Sequence, residues 1–529
     1  MYQQILAPLF GSLGWSAVAA ALPLLVLFAL LGLVRMTAWK ASLIALAVAL
    51  AIAMFVYPMP VDQALLSATL GAAFGFFPIL WIVINAIWIY QMTVTTGHFD
   101  VLQRSFSRIS GDRRIQAMII AFCFGALLEA LAGFGTPVAI TTVMLLALGI
   151  SPMTSAVVAL VANTAPVAYG ALASPLVTLA SVTELPLADL GAMTGRQTPL
   201  LALFVPMVLV GIIDGVRGVR ETLPATLTCG ITFAVAQFAA SNYVSVPLTD
   251  IIAALLAAGA TVLLMRVWTP RGAEPPTSEP AGSRAEVLRA YAPYLIIIAV
   301  FVVAQLGPIA DLLDAVTLKF NWPGLDIRDA GGEALSLTEF KFNWLSGAGS
   351  LLLIAGLLTI PVIGISARAA LGRYAATYRQ LAWAIVTVMT VLAIAYVMNT
   401  SGQTATLGTW MAATGGLFAF LSPILGWLGV AVTGSDTSSN SLFGALQVTA
   451  AEQAGIDPML AAAANGSGGV LGKMISPQNL AIAAGAVGMA GREGDLFRRV
   501  LPFSLGFLLL MCALIALQAT PVLSWMTVM

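Results

Sequence analysis

Apolar runs of roughly 20 residues, long enough to cross a bilayer as helices, recur in this chain from Trp15 to the closing stretch Leu501–Leu517. That repetition constrains the fold more than any other feature. Backbone amides inside lipid meet no water, so each crossing must satisfy its own hydrogen bonds. Helices do so, whereas an outer-membrane barrel needs ten-residue segments of alternating polarity, which this sequence lacks. The composition agrees, with 60% hydrophobic and 9% charged residues where a globular chain carries about a quarter charged. The expected class is an all-α polytopic membrane protein of about 12–14 membrane segments. Formal net charge is zero, so no basic surface invites nucleic acid.

Spans are expected at Trp15–Val34, Ser42–Val56, Leu66–Met92 and Ile115–Ala132, then at Leu200–Ile213, Leu223–Ala240, Leu248–Val267 and Tyr291–Leu306. Three more follow at Leu345–Ile365, Leu381–Met398 and Leu407–Val432. Arginines gather in five connections: Arg104, Arg108, Arg113 and Arg114; Arg217 and Arg220; Arg266, Arg271, Arg284 and Arg289; Arg368, Arg373 and Arg379; and Arg492, Arg498 and Arg499. The positive-inside rule puts all five in the cytoplasm. Both termini and the acidic loop Pro308–Asn343 then fall outside. The N-terminus lacks a basic region and a cleavage site, so the first helix is expected to stay as a span.

Two of the helices are broken at membrane depth. In Leu127-Leu-Glu-Ala-Leu-Ala-Gly-Phe-Gly-Thr-Pro-Val-Ala139 an apolar run holding Glu129 stops at Gly133 and Gly135, residues able to take the backbone angles that end a helix. Thr136 is the expected N-cap of a new half-helix, with Pro137 at its first position. A second break comes at Gly434-Ser-Asp-Thr-Ser-Ser-Asn440. Further interruptions are expected at Asn163-Thr-Ala-Pro166 and at Ser174-Pro175.

The breaks correspond. Gly149-Ile-Ser-Pro-Met153 matches Gly455-Ile-Asp-Pro-Met459, Ala162-Asn163 matches Ala464-Asn465, Ser174-Pro175 matches Ser476-Pro477, and Thr136 falls on Thr437. Upstream, Thr95-Thr-Gly97 leads into an arginine-rich inside loop, while Thr400-Ser-Gly402 leads into a chargeless turn placed outside. The halves therefore enter the membrane from opposite sides, the inverted-topology duplication of many secondary transporters, whose broken or re-entrant helices meet at the midplane. The divisions are 1–60 (N-terminal spans), 61–215 (first repeat), 216–365 (connecting spans with an inside linker 269–289 and an outside loop 308–343) and 366–529 (second repeat).

Glu129 lies roughly 22 Å along its helix from Arg114, at about 1.5 Å per residue, past the middle of a hydrocarbon core about 30 Å thick. A carboxylate there is costly when charged and unpaired, which suits a proton carrier. Asp436 sits among Ser435, Thr437, Ser438, Ser439 and Asn440, more polar groups than capping one helix requires, and is the second proton-coupling candidate. A sodium site built of hydroxyls would look similar. Lys473, in Gly472-Lys-Met-Ile-Ser-Pro-Gln478, is the candidate cation for an anionic substrate among helix N-termini; pairing with Glu129 or Asp436 is the alternative. Gly135, Thr136, Asn163, Thr164, Tyr169, Ser174, Asn465, Ser476 and Gln478 complete the expected substrate-binding set. Arg196 is expected to anchor at the interface. Cys123, Cys229 and Cys512 lie far apart in the sequence and read as small buried residues. With one histidine in the chain, no metal or cofactor is expected.

These motifs resemble the lactate permease family of bacterial inner-membrane carriers. The resemblance spans the chain and is carried by Leu128-Glu129 before Gly133-Phe-Gly135, by Asn163-Thr-Ala-Pro-Val167 and Gly195-Arg-Gln197, and by the segments at Gly434–Asn440 and Gly472–Gln478. Ala130, Thr136 and Tyr169 depart from a pattern in which glycine, alanine and phenylalanine are familiar. The resemblance implies proton-coupled uptake of lactate and related 2-hydroxymonocarboxylates such as glycolate. Sodium-coupled carboxylate symport is the alternative reading, and an anion channel a more distant one. An intramembrane protease would need a second membrane aspartate or a placed histidine, so no enzyme is expected. The expected partners are a small monocarboxylate, protons and the lipid bilayer.

Overall fold

The computed structural model describes residues 1–529 apart from 35, 107–109, 132, 134, 271–282, 305, 490, 491 and 529. The linker Glu274–Pro280, together with Arg108 and Arg271, lies outside the described residues.

Among the described residues ten helices are long and apolar enough to cross a membrane, or up to 11 when Pro152–Ala162 and Val167–Thr183, bent by 62°, count as one span. The expected spans Leu200–Ile213 and Leu223–Ala240 occupy one run, Pro199–Tyr243, of 45 residues. At about 1.5 Å per residue that is twice what one crossing needs. The run kinks at Gly215 (φ 66°, ψ −164°), and Gly230 packs against the Leu203 carbonyl, so its two arms form a hairpin. Shorter apolar helices at Thr136–Ala147 and Ala348–Ile363 complete the membrane segments.

The helix ends explain the breaks locally. The helix Gly125–Leu131 stops before Gly133 (φ 50°), and Gly135 (φ 81°) opens the half-helix Thr136–Ala147. The cap is therefore Gly135 and not Thr136, whose side chain makes no capping bond: the left-handed glycine turns the chain so sharply that Thr136 is already helical. At the second break Gly434 (φ 75°) ends Phe418–Thr433, and the Ser435 side chain accepts from the Ser438 amide to start Asp436–Ala454. Ser151 caps Pro152–Ala162, Asp457 caps Pro458–Gly472 and Ser476 caps Pro477–Ala486. In the first half the counterpart of this last piece comes only after Ala171, Leu172 and Ala173 take left-handed angles ahead of Ser174.

The two halves pack reciprocally. Thr136–Ala147 of the first lies on Pro477–Ala486 of the second, and Asp436–Ala454 of the second lies on Gly170–Thr183 of the first. The Glu129 span sits centrally, with 89% of its apolar window buried, where the peripheral span Arg284–Ala304 has 28%. Glycines allow the closest crossings, as in other membrane bundles. A Cβ on Gly426 would collide with the backbone carbonyl of Asn465, and one on Gly468 with that of Pro423. Neither backbone has a flexible end to move. Gly426→Ala is therefore expected to destabilise the fold by about 1–3 kcal/mol, read as an earlier thermal unfolding in detergent; an unchanged melting curve would refute the close crossing.

Two features differ from expectation. The acidic loop Pro308–Asn343 is structured: a helix Gly307–Asp314 opens it, and an antiparallel hairpin of Leu318–Asn321 with Glu339–Phe342 follows, packed through Phe74, Phe320, Phe340 and Phe342. Its Ile327–Arg328 also pairs in parallel with Tyr2–Gln3, so the N-terminus and this loop share one face. Cys123 and Cys229, distant in sequence, lie with their sulfurs 3.5 Å apart, both as free thiols.

Candidate functional site

The breaks meet around one ion pair. Lys473, in the short turn Lys473–Ile475 that precedes Ser476, places Nζ 2.5 Å from Glu129 Oε1. The other carboxylate oxygen accepts from Asn163 Nδ2 at 2.9 Å. Both charged side chains are buried, with 7% and 3% of their surface exposed. The fold makes room for Glu129 with glycine: a Cβ on Gly170 would stand 2.7 Å from Oε1, and Gly133 lines the same oxygen. Of the alternatives left open for Lys473, its partner in this conformation is Glu129.

Asp436 is buried beside this pair, within reach of the charges of Lys473 and Glu129. Neither of its carboxylate oxygens has a hydrogen-bond partner among the described residues. A Cβ on Gly469 would strike Oδ1, and Gly466 lies against Oδ2. A buried carboxylate without a hydrogen-bond partner is unusual in a folded core and calls for a reason.

These groups close the inner end of a cavity of about 1280 Å³. Glu129, Ser174, Gly434, Ser435, Asp436, Thr437, Ser438, Lys473 and Gln478 line it. Trp39 and Trp383, whose rings stack at 4.4 Å, and Glu493 line it as well. Lys40, Arg379 and Arg492 are their near neighbours in sequence, so the mouth lies on the arginine-rich face.

The remaining expected site residues stand behind this wall. Asn163 orients Glu129. Asn465 Nδ2 donates to Asn440 Oδ1 at 2.9 Å, and Asn440 Nδ2 donates to the Pro175 carbonyl at 3.1 Å, tying the second break to the first half. Thr164 spends its hydroxyl on the Val161 carbonyl, and Ser476 bonds the Lys473 carbonyl while capping its helix. Gly135 and Thr136 form the first break without lining the cavity. Tyr169 sends its hydroxyl to the Gly191 carbonyl at 2.7 Å, away from the ion pair. Arg196 bonds Asn242 and the carbonyls of Met526 and Thr527, so it clamps the C-terminal segment. Gly170, Gly466 and Gly469 were not among the expected site residues; nothing in a lone glycine signals that a carboxylate will lie over it. Gln447, which donates to Asn465 Oδ1 at 3.1 Å, was missed for the same reason.

An L-lactate permease family model matches residues 16–522. The chain belongs to the L-lactate permease family. It is 40% identical to the L-lactate permease of Bacillus subtilis over 99% of both chains. It is equally 40% identical to the glycolate permease GlcA of Escherichia coli, over 96% of each. A solved structure, that of Neisseria gonorrhoeae MtrF, reported with a class of antimetabolite efflux pumps, aligns over 87% of this chain and 84% of that one, at 14% identity and a TM-score of 0.45. With this membership the polytopic bundle is a transporter's, and its small-molecule substrate class is the monocarboxylates. Ala130 and Tyr169, two departures from the family pattern, do not line the cavity.

Proposed function

We propose that this permease imports lactate, and glycolate with it, across the bacterial inner membrane by proton symport, with both termini outside. The observation that carries the reading is the Lys473–Glu129 pair at the closed end of the cavity. A substrate carboxylate needs the ammonium, yet Glu129 already occupies it, and a second anion beside an intact pair is repelled in a site of low dielectric. One proton on Glu129 removes that competition and frees Lys473 for the substrate. Proton and carboxylate then enter as a neutral set. Asp436 is the second carboxyl able to hold a proton, and Ser174, Thr437 and Ser438 offer hydrogen bonds to a 2-hydroxyl group.

Alternating access follows from the two cavities. The first opens on the arginine-rich face, so the conformation is inward-open. A second, of about 630 Å³, lies under the hairpin of the outside loop and reaches Lys341 and Asn343. One short helix separates them: Ser174 and Pro175 line the first cavity, Val177, Ser181 and Glu184 the second. The reciprocal packing of the halves supports inverted repeats that rock about this element.

Lactate added to proteoliposomes is expected to carry protons inward, seen as external alkalinisation, and glycolate to do the same. Unchanged uptake with choline in place of sodium completes the expectation. Uptake that needs sodium, or that moves no protons, would overturn it.

A further inference from the structure

A third membrane carboxylate lies behind the site. Asp250, in the first turn of Thr249–Val267, is fully buried. Gln237 Nε2 donates to its Oδ1 at 2.9 Å, and Oδ2 has no partner among the described residues. No described cation pairs with it. The ionisable groups coupled to it electrostatically are Glu129 and Tyr169. Cys123 and Cys229, on elements packed against its helix, face each other instead. A buried carboxyl that pairs with no cation and bonds a neutral amide is placed to exchange a proton rather than to hold a structural ion pair.

The surroundings continue in two directions. Toward the site, the same Gln237 Nε2 also lies 3.3 Å from the Ala165 carbonyl, inside the break whose Asn163 holds Glu129. Away from the cavity mouth, Gln237 Oε1 accepts from Thr198 Oγ1 at 3.2 Å, and Thr198 bonds the Thr194 carbonyl. Gln197 bonds Gln518 at 3.3 Å alongside. Along this column Thr194 Oγ1, Gln197 Oε1 and Gln518 Nε2 are buried without a partner among the described residues, as are Asp250 Oδ2 and Asn163 Oδ1. Buried polar atoms are normally satisfied, and where the protein does not satisfy them, ordered water does. The column ends by Arg196 and the C-terminal segment, on the face opposite the arginine-rich mouth.

We infer that protons reach Glu129 by a route separate from the substrate cavity, a hydrated polar column from the opposite face in which Asp250 is the proton-holding station. The inference rests on the symport reading and adds its pathway. In the inward-open state the cavity connects Glu129 to one side only, because Gln237 stands between Asp250 and the Ala165 carbonyl; the column supplies the carboxyl when the halves rock and the cavity closes, so Glu129 never reaches both sides at once. The step is a proton transfer only: Asp250 gives its proton toward Glu129 and takes another from the column.

Asp250→Asn, near-isosteric with the neutral acid, is expected to keep lactate counterflow, an exchange with no net proton movement, and to lose lactate-driven proton uptake in proteoliposomes. Asp250→Glu is expected to regain it. Thr194→Val removes a hydroxyl that bonds nothing among the described residues, so folding is expected to be spared and proton uptake to slow with counterflow unchanged. Wild-type protein that takes up protons with lactate, beside an Asp250→Asn variant that does the same, would overturn the column alone. So would Asp250→Asn losing counterflow and proton uptake together while Thr194→Val leaves both at wild-type rates. A wild-type protein that moves no protons would overturn both readings.

Discussion

Lys473→Met is expected to reduce lactate uptake by about 100-fold or more. Removing one partner of a buried pair costs about 3–5 kcal/mol because the other charge is left uncompensated, and each ~1.4 kcal/mol is tenfold in affinity. Glu129 can escape its part of that cost by taking a proton, but the incoming carboxylate then finds no cation. The double variant Lys473→Met with Glu129→Gln separates the two effects. Relieved of the stranded charge, it is expected to recover the thermal stability lost by Lys473→Met without recovering uptake. A double variant that transports at the wild-type rate would make the pair purely structural and remove Lys473 from substrate binding.

Glu129→Gln is the complementary test, with an effect of comparable size on a different quantity. Glutamine keeps the shape that Gly170 and Gly133 accommodate and can still accept a hydrogen bond from Lys473, but it cannot exchange a proton. Lys473 is then permanently free of an anionic competitor. Lactate binding is expected to become nearly independent of pH, and accumulation driven by an inward proton gradient to fall to the level of passive equilibration, while lactate exchange continues. The sign follows from the competition: in the wild type, lower external pH favours the protonated carboxyl and hence substrate entry. Accumulation by the variant against a gradient, at wild-type extent, would show that the proton is carried elsewhere, with Asp436 next in line.

Much of the architecture was legible because membrane folding turns on a few local rules. A run of about 20 apolar residues must be a helix wherever it lies in lipid, and a glycine followed by a capping serine marks a break whatever surrounds it. Ser151 and Ser476 cap their helices as such a reading implies, whereas at the second break the cap is Ser435 and not Asp436. Thr136 shows its limit, since the turn at Gly135 depends on φ, which the letters do not give. The spans expected on either side of Gly215 are the two arms of the hairpin, since the non-helical angles at that glycine break the run between them.

The candidate site divides along the same line. Glu129, Asp436 and Lys473 stood out because a charge in an apolar run is expensive and calls for a reason. Asp250 did not, since a carboxylate in the first turn of a span is an ordinary interfacial residue until its burial is known.

By itself, then, the sequence determined the class of fold and most of the places where helices stop, and it singled out Glu129, Asp436 and Lys473 as candidates, because each of these follows from local chemistry and the cost of charge in lipid. Only the tertiary structure decided that Lys473 pairs with Glu129 while Asp436 has no hydrogen-bond partner among the described residues, that the cavity opens on the arginine-rich face, and that Asp250 is buried against Gln237. Those are distances between residues hundreds of positions apart, set by how glycine-lined helices cross, and no local rule contains them.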